Sequence, residues 1–547
     1  MVHGPQPVFF VTNKRSDTCF MPDVMPDDGL VLGLEGTAWN LSAALFGEDL
    51  VALHSSPYVP PKGGIHPREA AQHHASVMKE VVSRVLTEPE RIKAVAFSQG
   101  PGLGPSLRTV ATAARALSIA LDVPLVGVNH CVAHVEIGRW ATGFSDPIVL
   151  YASGANTQVL GYLNGRYRIF GETLDIGLGN ALDKFARSHD LPHPGGPVIE
   201  TLARQGNYIE FPYTVKGMDL AFSGLVSAAQ ESSAPLEDVC FSLQETAFAM
   251  CVEVTERALA HAGKNEVLLV GGVGANGRLQ EMLQVMCEDR GASFAVPERT
   301  YLGDNGAMIA YTGKIMLEHG VVLPLEESQI RPGYRADEVE VVWRTEPGEV
   351  FPIGPHEGGV ARGAEAVVEI GEENVVKRRI GKRYRNPALD RRLIVERTRA
   401  EARLMATARR AGVPTPVIRD ITADTIVMER VEGEVLKYVT TPETIRLAGE
   451  AVGRLHGAGI IHGDLTTSNM IVRDGQCVLI DFGLASTSSE IEGRGVDLHV
   501  FFQTLESTTE NFEELKEAFM RGYASVFPGA DEALAREHEV ELRGRYL

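Results

Sequence analysis

From residue 29 to about residue 325, short apolar runs alternate with amphipathic stretches whose apolar residues recur every three or four positions. That switching between a strand period and a helix period predicts layered α/β structure. Ala94–Phe97, Pro124–Val128, Ile148–Tyr151 and Val267–Val270 read as strands, and Glu69–Leu86, Leu107–Leu121 and Phe241–Ala262 read as helices. Residues 1–28 carry four prolines and no period; they read as an N-terminal extension, or as the product of an upstream start with Met21 or Met25 the true one. The Pro/Gly/Glu-rich stretch 326–355 reads as a linker between a first domain, 29–325, and a second globular pattern over 356–547. Neither a fixed-period repeat nor a low-complexity tract is present.

Composition narrows the class. A chain of 547 residues is too long for one core, and roughly 150 residues per domain implies three or four structural units. At 44% hydrophobic and 23% charged residues it reads as a soluble globular protein without a membrane partner, since no apolar run reaches the roughly 18 residues of a span. Val8–Val11 is too short for a signal-peptide core and precedes Lys14 and Arg15. The six cysteines are scattered, without a CxxC pair, which points to reduced thiols and a cytoplasmic location. A net charge of −20 argues against a self-sufficient nucleic-acid binder. Lys377–Arg410 departs from that trend, with thirteen Lys/Arg against three acids, and is either a solvated basic face or a phosphate-facing patch.

Candidate chemistry appears at several places in the front domain. Asn129-His130-Cys131-Val132-Ala133-His134 sets two imidazoles four residues apart, on one helix face, where both can hold one metal ion. The familiar protease version of HxxxH needs a glutamate beside the first histidine; Cys131 stands there, which counts against peptide hydrolysis. Glycine turns at Glu35-Gly36-Thr37, Ser153-Gly154-Ala155 and Gly271–Asn276 each follow a strand, as a nucleotide cleft requires. Gly303-Asp304-Asn305-Gly306 offers a third ligand, and a His/His/Asp set suits iron, zinc or manganese.

The ordered motifs Val31–Ala38, Ser98–Gly104, Asn129–His134, Tyr151–Val159, Gly179–Lys184, Pro194–Pro197, Phe211–Leu225, Gly271–Leu279 and Gly303–Ala307 resemble those of the universal tRNA N6-adenosine threonylcarbamoyltransferases, the catalytic subunit of the KEOPS complex. The resemblance implies an α/β, actin/Hsp70-like (ASKHA) fold with two lobes around a cleft. It implies one metal, usually iron, at His130, His134 and Asp304 with Tyr151 nearby. It also implies threonylcarbamoyl-AMP as substrate, held by Tyr151, Ala152, Ser153, Gly154, Ala155, Asp183, Gly196, Glu200 and Asn276. The acceptor would be N6 of the adenosine 3′ of a tRNA anticodon, and other KEOPS subunits would be partners. Glu35, where actin-like folds often keep an aspartate, argues against ATP hydrolysis in this half.

The back domain reads as a small α+β protein kinase. Gly358–Ala366, with Gly359, Gly363 and Ala364, lies where a phosphate-covering loop belongs; Lys377 follows on a strand and Glu401 on a helix as its ion-pair partner. His462-Gly463-Asp464 with Asn469, then Asp481-Phe482-Gly483, supplies a hydroxyl-orienting base (Asp464) and two magnesium ligands (Asn469, Asp481) for ATP. Gly463 and Thr466 replace the usual Arg and Lys of that loop, and no Ala-Pro-Glu follows. This pattern, the run Lys377–Arg403 and the tail Arg543-Gly544-Arg545-Tyr546 resemble the small atypical Ser/Thr kinase of KEOPS, which acts chiefly as an ATPase. The whole chain therefore resembles an archaeal transferase–kinase fusion. A metalloprotease and a signalling kinase with a regulatory front module are the competing readings.

Overall fold

All six residues of β1 (Leu30–Glu35) are buried, because layers of structure cover both faces of the sheet that the strand centres. The computed structural model describes residues 29–60, 64–163, 165–344, 360–506, 509 and 511–546, with backbone alone at 360–362 and 541–546. The N-terminal extension 1–28 and Gly359 lie outside the described residues, as do the side chains of Arg543 and Arg545. The chain forms two units: residues to Thr214 with Leu220–Phe351, and Val215–Asp219 with Pro352 onward.

In the first unit, β1 pairs antiparallel with β2 (Asn40–Phe46), which pairs with β3 (Leu50–Pro57). On its other side β1 runs parallel to β4 (Ile92–Gly100), and β4 to β5 (Leu125–Asn129), giving the order β3-β2-β1-β4-β5. The same plan recurs. A meander of β6 (Ile148–Ala152), β7 (Thr157–Leu163) and β8 (Arg166–Glu172) is extended, after the short hairpin β9 (Val215–Lys216) and β10 (Asp219–Leu220), by β11 (Glu266–Val270) and β12 (Ser293–Ala295). Its order, β12-β11-β6-β7-β8, repeats the first, so the unit is two copies of one βββαβαβ-type lobe.

Alternation along β1 sorts the layers. Leu30, Leu32 and Leu34 meet Val81 and Val85 of the helix Pro67–Val85 and Val110 and Ala114 of the helix Gly104–Leu121. Val31 faces the opposite layer, with Ala307 and Ala310 of the helix Gly306–Glu318. Gly33 lets that helix touch the strand: a Cβ there would stand 2.3 Å from the Ala310 nitrogen. The helix His130–Thr142 is shared between the sheets. Its Ala133 and Ile137 enter the first core, while Cys131, Val132 and Val135 pack with Val149, Leu268 and Val270 of the second.

The stretch read as a linker starts as core. Ala336, Val339 and Val341 are buried beside Tyr151 and Val270, and Arg115 donates to the Ser328 hydroxyl at 2.7 Å. Its Pro/Gly/Glu composition reflects an irregular backbone, not a loose one; of the proposed linker, residues 345–355 lie outside the described residues.

In the second unit, β13 (Val360–Arg362), β14 (Ala366–Ile370), β15 (Asn374–Arg379), β16 (Ile418–Ile421) and β17 (Thr425–Glu429) form an antiparallel sheet ordered β13-β14-β15-β17-β16. The helix Pro387–Arg410 belongs to this part, and the helices Pro442–Gly457, Ile491–Glu506, Phe512–Val526 and Ala530–Tyr546 follow. Leu455, Phe501, Phe519 and Tyr523 sit in their common core. Among the described residues, no helix is long and apolar enough to cross a membrane.

Candidate active sites

β5 ends at Asn129, whose Oδ1 accepts the Val132 N–H at 3.1 Å and starts the helix His130–Thr142. The cap puts His130 on the first turn and His134 one turn later, with ring centroids 4.8 Å apart. Asp304 reaches the same place just ahead of the helix Gly306–Glu318. Asn305 caps that helix through Met308 N–H (3.0 Å), and Asn40 Nδ2 donates to the Asp304 carbonyl (2.7 Å). Asp304 Oδ1 lies 3.4 Å from His130 Nε2 and 3.2 Å from His134 Nε2, so two ring nitrogens and a carboxylate oxygen converge on one point.

Behind His130 stands fully buried Glu35. Its Oε2 is 3.1 Å from His130 Nδ1, while Oε1 accepts from the Thr37 backbone N–H (2.7 Å) and hydroxyl (2.6 Å). Burial disfavours the His130 imidazolium, yet the Glu35 and Asp304 carboxylates outweigh it and push its pKa up to about 10. Burial lowers that of His134, and the histidines hold Asp304 well below the usual carboxylate range. One buried and one half-buried carboxylate, Glu35 and Asp304, beside two imidazoles form a pocket that calls for positive charge. The N/N/O donors and a carboxylate behind one imidazole are what a divalent metal needs, so these residues fit the metal that the sequence implies. Tyr151, at the end of β6, packs its ring 5.0 Å from His134; burial raises the phenol far above its ordinary pKa and keeps it protonated. Cys131 is buried and pushed up to about 12, a neutral thiol rather than a thiolate ligand.

The residues expected to hold an adenylate gather at helix starts. β6 runs through Ala152 into a turn closed by Ser153 N–H to the Asn156 carbonyl (2.8 Å), and the Gly154 carbonyl accepts Asn180 N–H (2.9 Å). Ala155 lies in that turn. Asp183 Oδ1 accepts the N–H of Gly195, next to Gly196 at the start of the helix Gly195–Ala203 (2.7 Å). Glu200 accepts Gly277 N–H (3.1 Å), and Asn276 caps the helix Gly277–Arg290 through Arg278 and Leu279. Asp183, Glu200 and Asn276 thus all hold backbone in place.

In the second unit, Lys377 of β15 places Nζ 2.6 Å from both Glu401 Oε1 and Asp481 Oδ1. Burial opposes its charge, but the two carboxylates prevail and hold its pKa above the ordinary lysine range. Arg379, two residues on, donates to the other Glu401 oxygen (2.6 Å) and to Glu365 (2.8 Å). Asn469 Nδ2 donates to Asp464 through both its carbonyl and its carboxylate, at 2.9 Å each. Asp481 sits in the left-handed region, φ 59°. The Gly363 N–H donates to the Ala366 carbonyl (2.9 Å), and the Ala364 carbonyl accepts Lys382 Nζ.

Comparison with known proteins agrees with both halves. The family model described as tRNA N6-adenosine threonylcarbamoyltransferase (TsaD) matches residues 50–311, and that of the RIO domain matches residues 372–493. A protein of Methanoculleus marisnigri named "Probable bifunctional tRNA threonylcarbamoyladenosine biosynthesis protein" is 93% identical over 527 residues, 96% of this chain and 100% of its own. Proteins of the same name from Methanocorpusculum labreanum and Methanosarcina mazei are 68% and 55% identical, each covering 94% of this chain and 99% of its own. The chain belongs to this bifunctional family.

Its first unit is accordingly a TsaD-type transferase domain of actin-like fold, and its second a RIO-type atypical kinase domain; these families imply metal and ATP use. The sequence reading missed two residues of this bifunctional chain. In the sequence Glu35 reads only as a nucleotide-site acid, although an acid ending a strand otherwise as apolar as Leu30–Leu34 signals that a buried partner awaits it. Asp497 lies inside a helix, outside any motif. Its carboxylate accepts the backbone N–H groups of His462 (2.6 Å) and Gly463 (2.8 Å), and His456, itself hydrogen-bonded to Tyr523, lies 3.2 Å away. Gly463 itself has φ 77°, and a Cβ there would stand 2.5 Å from the Leu484 carbonyl oxygen, so the usual arginine has no room.

Proposed function

We propose that the first unit transfers threonylcarbamoyl from threonylcarbamoyl-AMP to N6 of the adenosine 3′ of the anticodon, in tRNAs reading codons that begin with A. The convergence of His130 Nε2, His134 Nε2 and Asp304 Oδ1 carries this reading. A divalent metal held there, iron in our assignment, supplies Lewis acidity toward a substrate oxygen. Glu35 fixes the His130 ring by its Nδ1 and leaves Nε2 facing the site. The turn Tyr151–Ala155 and the start of the helix Gly195–Ala203, held by Asp183, offer backbone N–H groups to the adenylate phosphate, while Glu200 and Asn276 hold the start of the helix Gly277–Arg290 in place. In the transfer a C–N bond to N6 forms, the acyl–phosphate C–O bond breaks, AMP leaves, and N6 gives up one proton. The acceptor base belongs to a single-stranded loop, which lets it splay into a pocket.

The second unit, in this reading, is an ATPase that supports the transfer. Lys377 holds the phosphates, Gly363 and Ala364 cover them, Asn469 and Asp481 bind magnesium, and Asp464 orients the attacking hydroxyl or water. We place the protein in the cytoplasm with other KEOPS subunits. The peptidase reading loses support because both Glu35 oxygens are engaged, by Thr37 and His130, so that this carboxylate is not free to act as a general base.

The test is transfer of labelled threonylcarbamoyl to unmodified tRNA, with threonylcarbamoyl-AMP, metal and the partner subunits present. Wild type should label the tRNA, His130→Ala should not, and Asp464→Ala should label it poorly under repeated turnover. Failure of the wild type to label tRNA would overturn the reading.

A further inference from the structure

Three cations of the basic run Lys377–Arg410 are turned inward: Lys377, Arg379 and Arg385 are buried, the last against Asp390 at 3.2 Å. Lys377 and Arg379 stand two residues apart on β15 and so share one face of the sheet. Both meet Glu401, but at different oxygens. Lys377 Nζ lies 2.6 Å from Oε1, and Arg379 Nη2 lies 2.6 Å from Oε2. With its other terminal nitrogen, Nη1, Arg379 reaches Glu365 at 2.8 Å. Glu365 directly follows Gly363 and Ala364, and its carbonyl accepts the Ile380 N–H at 3.1 Å. One row of charges, Glu365–Arg379–Glu401–Lys377–Asp481, therefore runs from the loop expected to cover phosphates to the acid expected to bind magnesium.

Lys377 alone is a poor anchor for Glu401 during turnover. When a magnesium nucleotide is bound, Asp481 turns to the metal and Lys377 to the phosphates, which disturbs the bonds of that ammonium as the reaction begins. Glu401 is only 2% exposed, and a buried carboxylate left without its cation is strongly destabilising. The Arg379 guanidinium holds the second oxygen independently, and its planar fork serves two carboxylates at once. We propose that Arg379 is a positioning residue for ATP turnover: it keeps Glu401 in place while Lys377 engages phosphate, and ties Glu401 through Glu365 to the phosphate-covering loop. The inference rests on the ATPase reading of the second unit. A lysine–glutamate pair by itself joins a strand to a helix; the second cation adds the loop, so that all three are fixed together before a nucleotide arrives.

The experiment compares the full-length wild type with Arg379→Ala, Glu365→Gln and the double variant, by steady-state ATP turnover and by amide hydrogen exchange without nucleotide. Arg379→Ala should lower kcat about 10–100-fold, as for the loss of a hydrogen bond between charged groups, with the KM for ATP within about threefold of wild type. Glu365→Gln keeps an acceptor but loses the charge, and should lower kcat about fivefold. The double variant should be no slower than Arg379→Ala, because the two residues act through one bond. Without nucleotide, the Gly363 N–H, which donates to the Ala366 carbonyl at 2.9 Å, should exchange faster in every variant, by about tenfold in Arg379→Ala. A wild-type kcat in Arg379→Ala would overturn the proposal, as would losses that multiply in the double variant. A lower melting temperature with kcat and Gly363 exchange unchanged would show a merely structural arginine and overturn it too. Should Arg379→Ala fail to fold, Glu365→Gln decides through the same two readouts. A wild type that does not turn over ATP would overturn the ATPase reading instead. Exchange at Gly363 would then decide on Arg379 by itself, and no change on removing the guanidinium would sink it.

Discussion

The two catalytic centres balance charge in opposite ways. At the front, the ion-pair partners of Glu35 and Asp304 among the described residues are imidazoles, and His130 is driven toward protonation for want of another cation. At the back, Lys377 and Arg379 are matched by Glu401, Asp481 and Glu365 within hydrogen-bond distance. The first centre lacks a positive charge and suits a resident ion. The second is internally satisfied, and its ligand must arrive with its own compensation, as a nucleotide with magnesium does. The contrast separates what each centre must capture: one a bare cation, the other an already neutralised anion.

The contrast can be broken most forcefully at His130. His130→Ala should lower metal content and threonylcarbamoyl transfer by more than about a hundredfold, since outer partners alone account for about 10–100-fold. Metal analysis of the purified variant and the labelled-tRNA assay check this, and retained metal would refute the charge argument. Asp464→Asn should cut ATP turnover by about 10²–10⁴-fold and leave metal content at the front untouched. Chelator competition on Glu35→Gln should give a metal affinity about 10–100-fold lower, with the fold intact by circular dichroism. Smaller still, Asp497→Ala frees two buried N–H groups of the catalytic loop at about 1–3 kcal/mol each, which denaturant unfolding of the second unit would register. Stripping metal should lower the melting transition of the first unit alone, by the linkage of a bound ion to the native state, a shift that calorimetry resolves.

How much of this was legible depends on how local the cause is. The histidine pair announced itself because one helical turn separates the residues, and Asn129 before it is a capping signal. The strands at Ala94 and Val267 were legible from their apolar runs. Glu35 beside His130 was not, because that contact joins residues 95 positions apart. The sorting of cations near Lys377 was equally hidden: which arginine turns inward depends on where Glu365 and Asp390 lie in space, and composition registers only their sum. The segment around Ala336–Val341 misled for a related reason, since a chain without periodicity reads as loose even where Tyr151 and Val270 bury it.

The distance along the chain between His134 and Asp304, 170 positions, sets a timetable for biosynthesis. A ribosome that has made the first lobe and its histidine helix has released only part of a cage. No nascent fragment shorter than residue 304 can close it around an ion. Metal loading is therefore a late event, after both lobes have emerged, and translation of a message truncated before Asp304 yields protein without the third ligand.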